Sequence, residues 1–136
     1  MLRVIFGLIL IDQITKWFFA TRDFFIGPVH FMTVKNYGLP FGLNFGRETN
    51  MVIILAALGF FIAYYVWHRR ILFINFAFTL ILAGAIANLV DRLYLGYVRD
   101  FISLNLGFTF NFADAFIVAG LIGWFFVSGS LKSHEF

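Results

Sequence analysis

The stretch DFISLNLGFTFNFAD, Asp100 to Asp114, sets two carboxylates at the ends of a segment with no other charge. Between them the side chains alternate, with Ile102, Leu104, Leu106, Phe108, Phe110 and Phe112 on one parity and Ser103, Asn105, Gly107, Thr109 and Asn111 on the other. That is strand periodicity. Asn105, Leu106 and Gly107 lie at the centre, where a small turn containing Gly reverses the chain, so the segment reads as a short β-hairpin. Pairing about a centre near Leu106 sets Asp100 opposite Phe112, with Asp114 one step beyond. Two carboxylates distant in sequence then share one site.

At low dielectric such a pair cannot ionise twice cheaply, and it holds a proton near neutral pH. It can then polarise a water and protonate a leaving amine, the division of labour of aspartic proteases. A purely structural reading stands beside this one. In it Asp114 closes a helix-capping box with Asn111 in Asn-Phe-Ala-Asp, and Asp100 pairs with Arg99 or Arg92.

Outward from this segment the chain is unusually apolar. Of its 136 residues 62% are hydrophobic and 12% charged, with 21 Phe, and the mean hydropathy is +0.91. Soluble domains carry about 25% charge, which makes this an integral membrane protein. The net charge of +3 is scattered along the chain, an arrangement that does not suit a nucleic-acid partner. There is no cysteine, which removes a thiol nucleophile, a disulfide framework and a thiolate metal site together. Three dispersed histidines, His30, His68 and His134, make a His-based metal site improbable, and no cofactor is expected.

The first apolar run, 2–20, is long enough to cross a membrane. Asp12 and Lys16 interrupt it and no small-x-small cleavage site follows, so it reads as a retained helix rather than a signal peptide. These two residues are four apart, acid before base, and can pair on one face, either as a working intramembrane ion pair or as structural polar support. Residues 21–50 form an aromatic-rich outer loop, with a strand over Val29 to Lys35 and a break at Gly38-Leu-Pro-Phe-Gly42, and they read as a cover over a site. Further helices are expected near 51–67, 71–91 and 113–129, the third ending in small residues from Gly84 to Asn88 that favour close helix packing. Asn88 and Arg92 share a helical face that approaches Asp100, whereas Asp91 lies on another face and reads as structural.

The expected fold is a single membrane α-helical domain over 1–136. It is a four-helix transmembrane bundle with a small extramembrane β-element that includes a hairpin at 100–112. Four crossings put both termini on one side, and Arg69-Arg70 in a short turn makes that side cytoplasmic, leaving Asp100 and Asp114 at the outer face.

Four ordered blocks carry a family resemblance: Asp-Gln-Ile-Thr-Lys from Asp12 to Lys16, Asn-Tyr-Gly-Leu-Pro-Phe from Asn36 to Phe41, the run from Gly84 through Asn88, Arg92 and Asp100, and Phe-Asn-Phe-Ala-Asp from Phe110 to Asp114. Together they resemble the lipoprotein signal peptidase (signal peptidase II) family of bacterial membrane aspartyl proteases. Pro40, where the family usually has Ala, and Ala87, where it usually has Gly, depart from the pattern. The resemblance implies a monomeric enzyme of the bacterial cytoplasmic (inner) membrane, in contact with membrane lipids. Its substrate would be a diacylglyceryl-modified prolipoprotein, cut on the amino side of the lipid-modified cysteine. Asp100 and Asp114 would be catalytic, and Asn36, Gly38, Phe41, Asn88, Arg92 and Asn111 would bind substrate or orient the carboxylates.

Two other function classes fit parts of the chain. A metal-dependent lipid-headgroup transferase would need a compact set of acids, and here Asp91 and Asp100 are the only close pair. A small proton or ion carrier with intramembrane carboxylates would suit Asp12 but needs its site near the midplane, away from the hairpin.

Overall fold

The computed structural model of the chain describes residues 1–39, 43–68, 72–104 and 106–132. Pro40, Phe41, Arg69, Arg70 and Asn105 therefore lie outside the described residues, and with them part of the loop reading and the Arg pair that oriented the chain. The order is α1 (Leu2–Phe19), β1 (Asp23–Ile26), β2 (Val29–Asn36), α2 (Arg47–His68), α3 (Leu72–Leu95), β3 (Val98–Ser103), β4 (Thr109–Phe110) and α4 (Phe112–Lys132).

The helices bury ionisable side chains beside a small apolar core and leave many large apolar ones exposed. On α1, Asp12 and Lys16 are 0% exposed, whereas Phe6, Ile14 and Trp17 face outward. In water that arrangement would be unfavourable on both counts. Against lipid it is the expected one, since ionisable groups turn to the protein interior and apolar side chains meet the acyl chains. Helix α2 carries the point further, because its apolar window Arg47–Trp67 is almost wholly unburied by the rest of the protein. Among the described residues two helices, α2 and α3 through the windows Arg47–Trp67 and Asn75–Leu95, are long and apolar enough to cross a membrane, and α4 holds the shorter apolar stretch Phe112–Phe126.

Helices α3 and α4 touch through their backbones. A Cβ at Gly84 would collide with the Ala113 carbonyl and crowd the Ile117 side chain, and one at Gly120 would come within 2.6 Å of both the Ala77 carbonyl oxygen and the Ile81 side chain. Small residues allow this approach where hydrophobic exclusion from water cannot drive helix pairing. The contact matters for the site, since Ala113 is the residue before Asp114 and Gly84 lies one turn before Asn88. Replacing Gly84 by Val should therefore cost about 1–3 kcal/mol through overpacking. Thermal unfolding in detergent would measure it, and an unchanged midpoint would show that the helices can separate without loss.

The strands form one antiparallel sheet in the order β1-β2-β3-β4. In the final hairpin Ile102 pairs with Phe110 and Ser103 with Thr109, a register centred on Leu106, and Gly107 takes φ +83° in the turn. The ladder is shorter than the alternation of side chains, because only Thr109 and Phe110 form the return strand before α4 begins. Strand β1, joined to β2 through Gly27 at φ +57°, is an element that the alternation pattern did not show. Helix α2 starts at Arg47, four residues before the apolar run. Phe19 ties the sheet to the end of α1, stacking on Phe31 at 5.1 Å and on the buried Phe101 at 4.8 Å between centroids.

Candidate active site

Asp100 is held by the sheet. It lies opposite Val34 on β2, and Asn36 lies opposite Val98, so Asn36 and Asp100 are diagonal neighbours on one face of the ladder. Asn36 Nδ2 donates to Asp100 Oδ2 at 2.9 Å, while its Oδ1 accepts from the Gly38 backbone N–H at 2.9 Å. One asparagine thus orients a carboxylate and starts the loop.

Asp114 is held by a helix end. Asn111 precedes α4 as its N-cap: its Oδ1 accepts from the Asp114 N–H at 2.9 Å, and its own N–H donates to Asp114 Oδ2 at 3.2 Å. This is a reciprocal capping box. The same Asn111 donates through Nδ2 to Asp100 Oδ1 at 2.7 Å. The structural reading of Asn111 and Asp114 as a cap therefore holds together with the juxtaposition of the two carboxylates, because the cap residue reaches both. Asn88 completes the frame, its Nδ2 donating to Asp114 Oδ1 at 2.8 Å and its Oδ1 accepting from Asn111 Nδ2 at 3.2 Å.

Asp100 is buried to 1% exposure, and Asp114 is half-buried where it lines the cavity described below. Burial, reinforced by the negative charge of Asp114, pushes the Asp100 carboxyl up to about 6, against the opposing hydrogen bonds from Asn36 and Asn111. The pair thus retains a proton into the range where water activation and amine protonation are both needed.

The remaining expected site residues divide. Arg92 on α3 reaches the outer loop, donating from Nη2 to the Gly38 carbonyl at 2.8 Å and from Nη1 to the Asn88 carbonyl at 3.4 Å. Its role is visible as a tie between α3 and the loop that carries Asn36 and Gly38. Phe41 lies outside the described residues. Asp12 and Lys16 pair at 2.7 Å inside the bundle, and Asp12 Oδ1 accepts from the Ala113 N–H at 2.8 Å, at the start of α4. Asp91 is structural: it accepts from Arg99 Nη2 at 2.7 Å, Nε at 3.2 Å and backbone N–H at 3.0 Å, and lies 3.4 Å from Lys16 Nζ. Arg99 is therefore Asp91's partner rather than that of Asp100.

Two residues that the sequence reading passed over do comparable work. Gln13, inside the Asp-Gln-Ile-Thr-Lys block, donates to Asp91 Oδ1 at 3.1 Å and accepts from Arg99 Nη2 at 2.7 Å. Asn50, buried at the start of α2, accepts from the Phe45 N–H at 3.0 Å and donates to Asn44 Oδ1 at 2.9 Å and the Tyr37 carbonyl at 3.3 Å, tying both described ends of the loop to α2. The polar residues between two break-forming stretches were the available signal for Asn50.

A cavity of about 330 Å³ runs from this polar cluster down between α2, α3 and α4. Asn36, Asn88, Arg92 and Asp114 line its polar end, and Ile53, Ala57, Phe61, Ile81 and Ile117 are among its apolar walls. Among the described residues no three His, Asp or Glu side chains gather as a metal set.

A family model described as signal peptidase (SPase) II matches residues 4–129. The lipoprotein signal peptidase of Thermodesulfovibrio yellowstonii is 37% identical over 94% of this chain and 92% of its own length. That of Caldicellulosiruptor bescii is 33% identical over 88% of this chain and 83% of its own. A solved structure described as a bacterial membrane enzyme superposes with a TM-score of 0.86 at 25% identity, covering 99% of this chain and 90% of the other. An apolar helical fold with paired, amide-held carboxylates thus falls in the class of aspartic-type membrane peptidases. Within that class, the chain belongs to the signal peptidase II family.

Proposed function

We propose that this chain removes signal peptides from diacylglyceryl-modified prolipoproteins, cutting on the amino side of the lipid-modified cysteine, with Asp100 and Asp114 as its catalytic carboxylates. The observation that carries the reading is Asn111, which hydrogen-bonds both carboxylates and so holds them at one point. Family membership supports the substrate class, since the relatives matched are lipoprotein signal peptidases. The cavity suits the chemistry as well: an apolar channel for a membrane-embedded signal segment ends at polar groups that can hold a peptide bond.

In this reaction the ionised carboxylate takes a proton from water as the water oxygen bonds to the scissile carbonyl carbon, and the partner's proton goes to the carbonyl oxygen. Collapse breaks the C–N bond. The proton taken from water is delivered to the departing nitrogen, and the diol proton returns to the partner. Asn36, Asn88 and Asn111 orient the carboxylates; Gly38, Phe41 and Arg92 belong to the loop and its tie, the cover over the bound peptide.

All four helices are read as membrane crossings of one domain over 1–136, with both termini cytoplasmic and the sheet at the outer face of the bacterial inner membrane. The protein acts as a monomer among membrane lipids. The exposed apolar residues of α1, α2 and α4 support this arrangement.

The test is cleavage of a purified prolipoprotein with and without its diacylglyceryl group, in the presence and absence of EDTA. Cleavage of the modified form alone, indifferent to EDTA, is expected; transport activity without cleavage, or chelator sensitivity, would replace this function with one of the rivals. Acidity gives a further expectation. The working pair holds one proton, and Asp100 retains it up to about 6, so kcat/KM should fall as pH rises through that value. A kcat/KM flat from pH 5 to about 8 would contradict a proton shared by these groups.

A further inference from the structure

Lys16 is a fully buried base that the cleavage reaction as described does not use. Its ammonium has three donors and no acceptor. It lies 2.7 Å from Asp12 Oδ2 and 3.4 Å from Asp91 Oδ2, and it donates to Asn88 Oδ1 at 2.9 Å. The last of these contacts reaches the carboxylate pair.

An asparagine amide has nearly the same shape either way round, but its two ends have opposite hydrogen-bonding character. Lys16 and Asn111 Nδ2 both demand an acceptor from Asn88, and so hold Oδ1 toward themselves. Nδ2 must then face Asp114 Oδ1, where it donates at 2.8 Å. A flipped amide would press its NH2 against the Lys16 ammonium and offer an oxygen to Asp114, which would favour a protonated carboxyl there. Asp114 also occupies the first turn of α4, where the helix dipole favours an anion and the Asn111 N–H donates to it. Asp100 lies on a strand, outside the first turn of α4, and takes only the side-chain amide of the cap residue Asn111. The charged groups acting around Asp114 are Lys16 and Asp12 from α1, Arg92 from α3 and Asp100 from β3, while the α2 residues lining the same cavity are apolar.

We propose that Lys16 is a positioning residue for peptide-bond cleavage: by locking the Asn88 amide it keeps Asp114 ionised as the base that takes the proton from water, and leaves the pair's proton on Asp100, which serves the carbonyl oxygen. This rests on the reading of Asp100 and Asp114 as the cleavage site. Lys16 thus acts two residues away from the water, through a side chain that has only one tolerable orientation.

The test removes one buried charge of each sign, in the double variant Asp12→Asn with Lys16→Met, so that the bundle keeps its balance. The acidic limb of kcat/KM should move up by about one pH unit or more, because Asp114 now protonates more easily. At neutral pH kcat should fall about ten- to a hundredfold, with KM changed less than about twofold. Asp12→Asn alone leaves Lys16 on Asn88 and removes a negative charge that acts on Asp114, so the limb should stay in place or move down, not up. A limb that stays in place in the double variant overturns the proposal.

A measurement on the unaltered protein serves if the double variant does not fold. With 13C-carboxyl aspartate, assigned from the single Asn variants, the Asp114 resonance should titrate at a lower pH than that of Asp100; the reverse order overturns the proposal. Failure of the parent reading would look different. If Asp100→Asn or Asp114→Asn still cleaves, the pair is not the site and the role of Lys16 falls with it; if both are inactive and the limb does not move, Lys16 alone is removed.

Discussion

Asp100→Asn and Asp114→Asn should each lower kcat for prolipoprotein cleavage by about 10²- to 10⁴-fold, with the fold retained. Asn keeps the shape of the side chain and can still hydrogen-bond, so the loss isolates the ionisable group. Asp114→Asn should leave α4 capped, since the Asp114 N–H still donates to Asn111 Oδ1. It removes the anion that Asn88 and the Asn111 N–H stabilise. Asp100→Asn removes the proton store instead. Neither residue substitutes for the other, because a single carboxyl cannot be both the acceptor of a water proton and the donor to the carbonyl at the same moment. The check is the cleavage assay alongside an unfolding curve in detergent. Cleavage within about tenfold of wild type in either folded variant would mean that the carboxylates only cap and brace the bundle.

Asp91→Ala should have the second largest effect, and it should fall on stability. Asp91 is 1% exposed and collects Arg99, Gln13 and Lys16 about its two oxygens. Removing one partner of a buried ionic network leaves the others desolvated and unpaired, a cost of about 3–5 kcal/mol. Lys16 retains Asp12 at 2.7 Å, but Arg99 loses the acceptor of its backbone N–H and of two side-chain donors together. Unfolding in detergent should show the loss, while cleavage at low temperature, where the fold survives, should persist. Asp91→Asn should be milder because it still accepts from the Arg99 N–H. A fully stable Asp91→Ala protein would mean that water or lipid headgroups enter the network.

What could be read from the sequence was local. Alternation around Leu106 located the final hairpin, and its register of Ile102 with Phe110 follows from that period because a slip of one residue would turn Phe110 away from its face. The four-residue spacing of Asp12 and Lys16 likewise foretold their pairing. Strand β1 escaped because Asp-Phe-Phe-Ile has no alternation and gains its pairing only from β2. The network around Asp91 escaped for a different reason. Gln13 and Arg99 are 86 residues apart, and no pattern within one helix can show that they meet. Arg92 was expected to approach the carboxylates because it shares a helical face with Asn88; it lines one cavity with Asp114, while its hydrogen bonds go to the carbonyls of Gly38 and Asn88.

The cavity lies between α2 on one side and the tightly joined α3 and α4 on the other, and α2 buries little of its own surface. A substrate anchored in the bilayer reaches such an opening by sliding within the plane, so its search is two-dimensional. The concentration that governs encounter is then molecules per lipid rather than molecules per litre. Adding lipid or detergent at fixed amounts of enzyme and substrate dilutes that surface and slows cleavage, although the bulk concentrations of enzyme and substrate are unchanged. Affinity for this protein is accordingly a property of the membrane area it shares with its substrate.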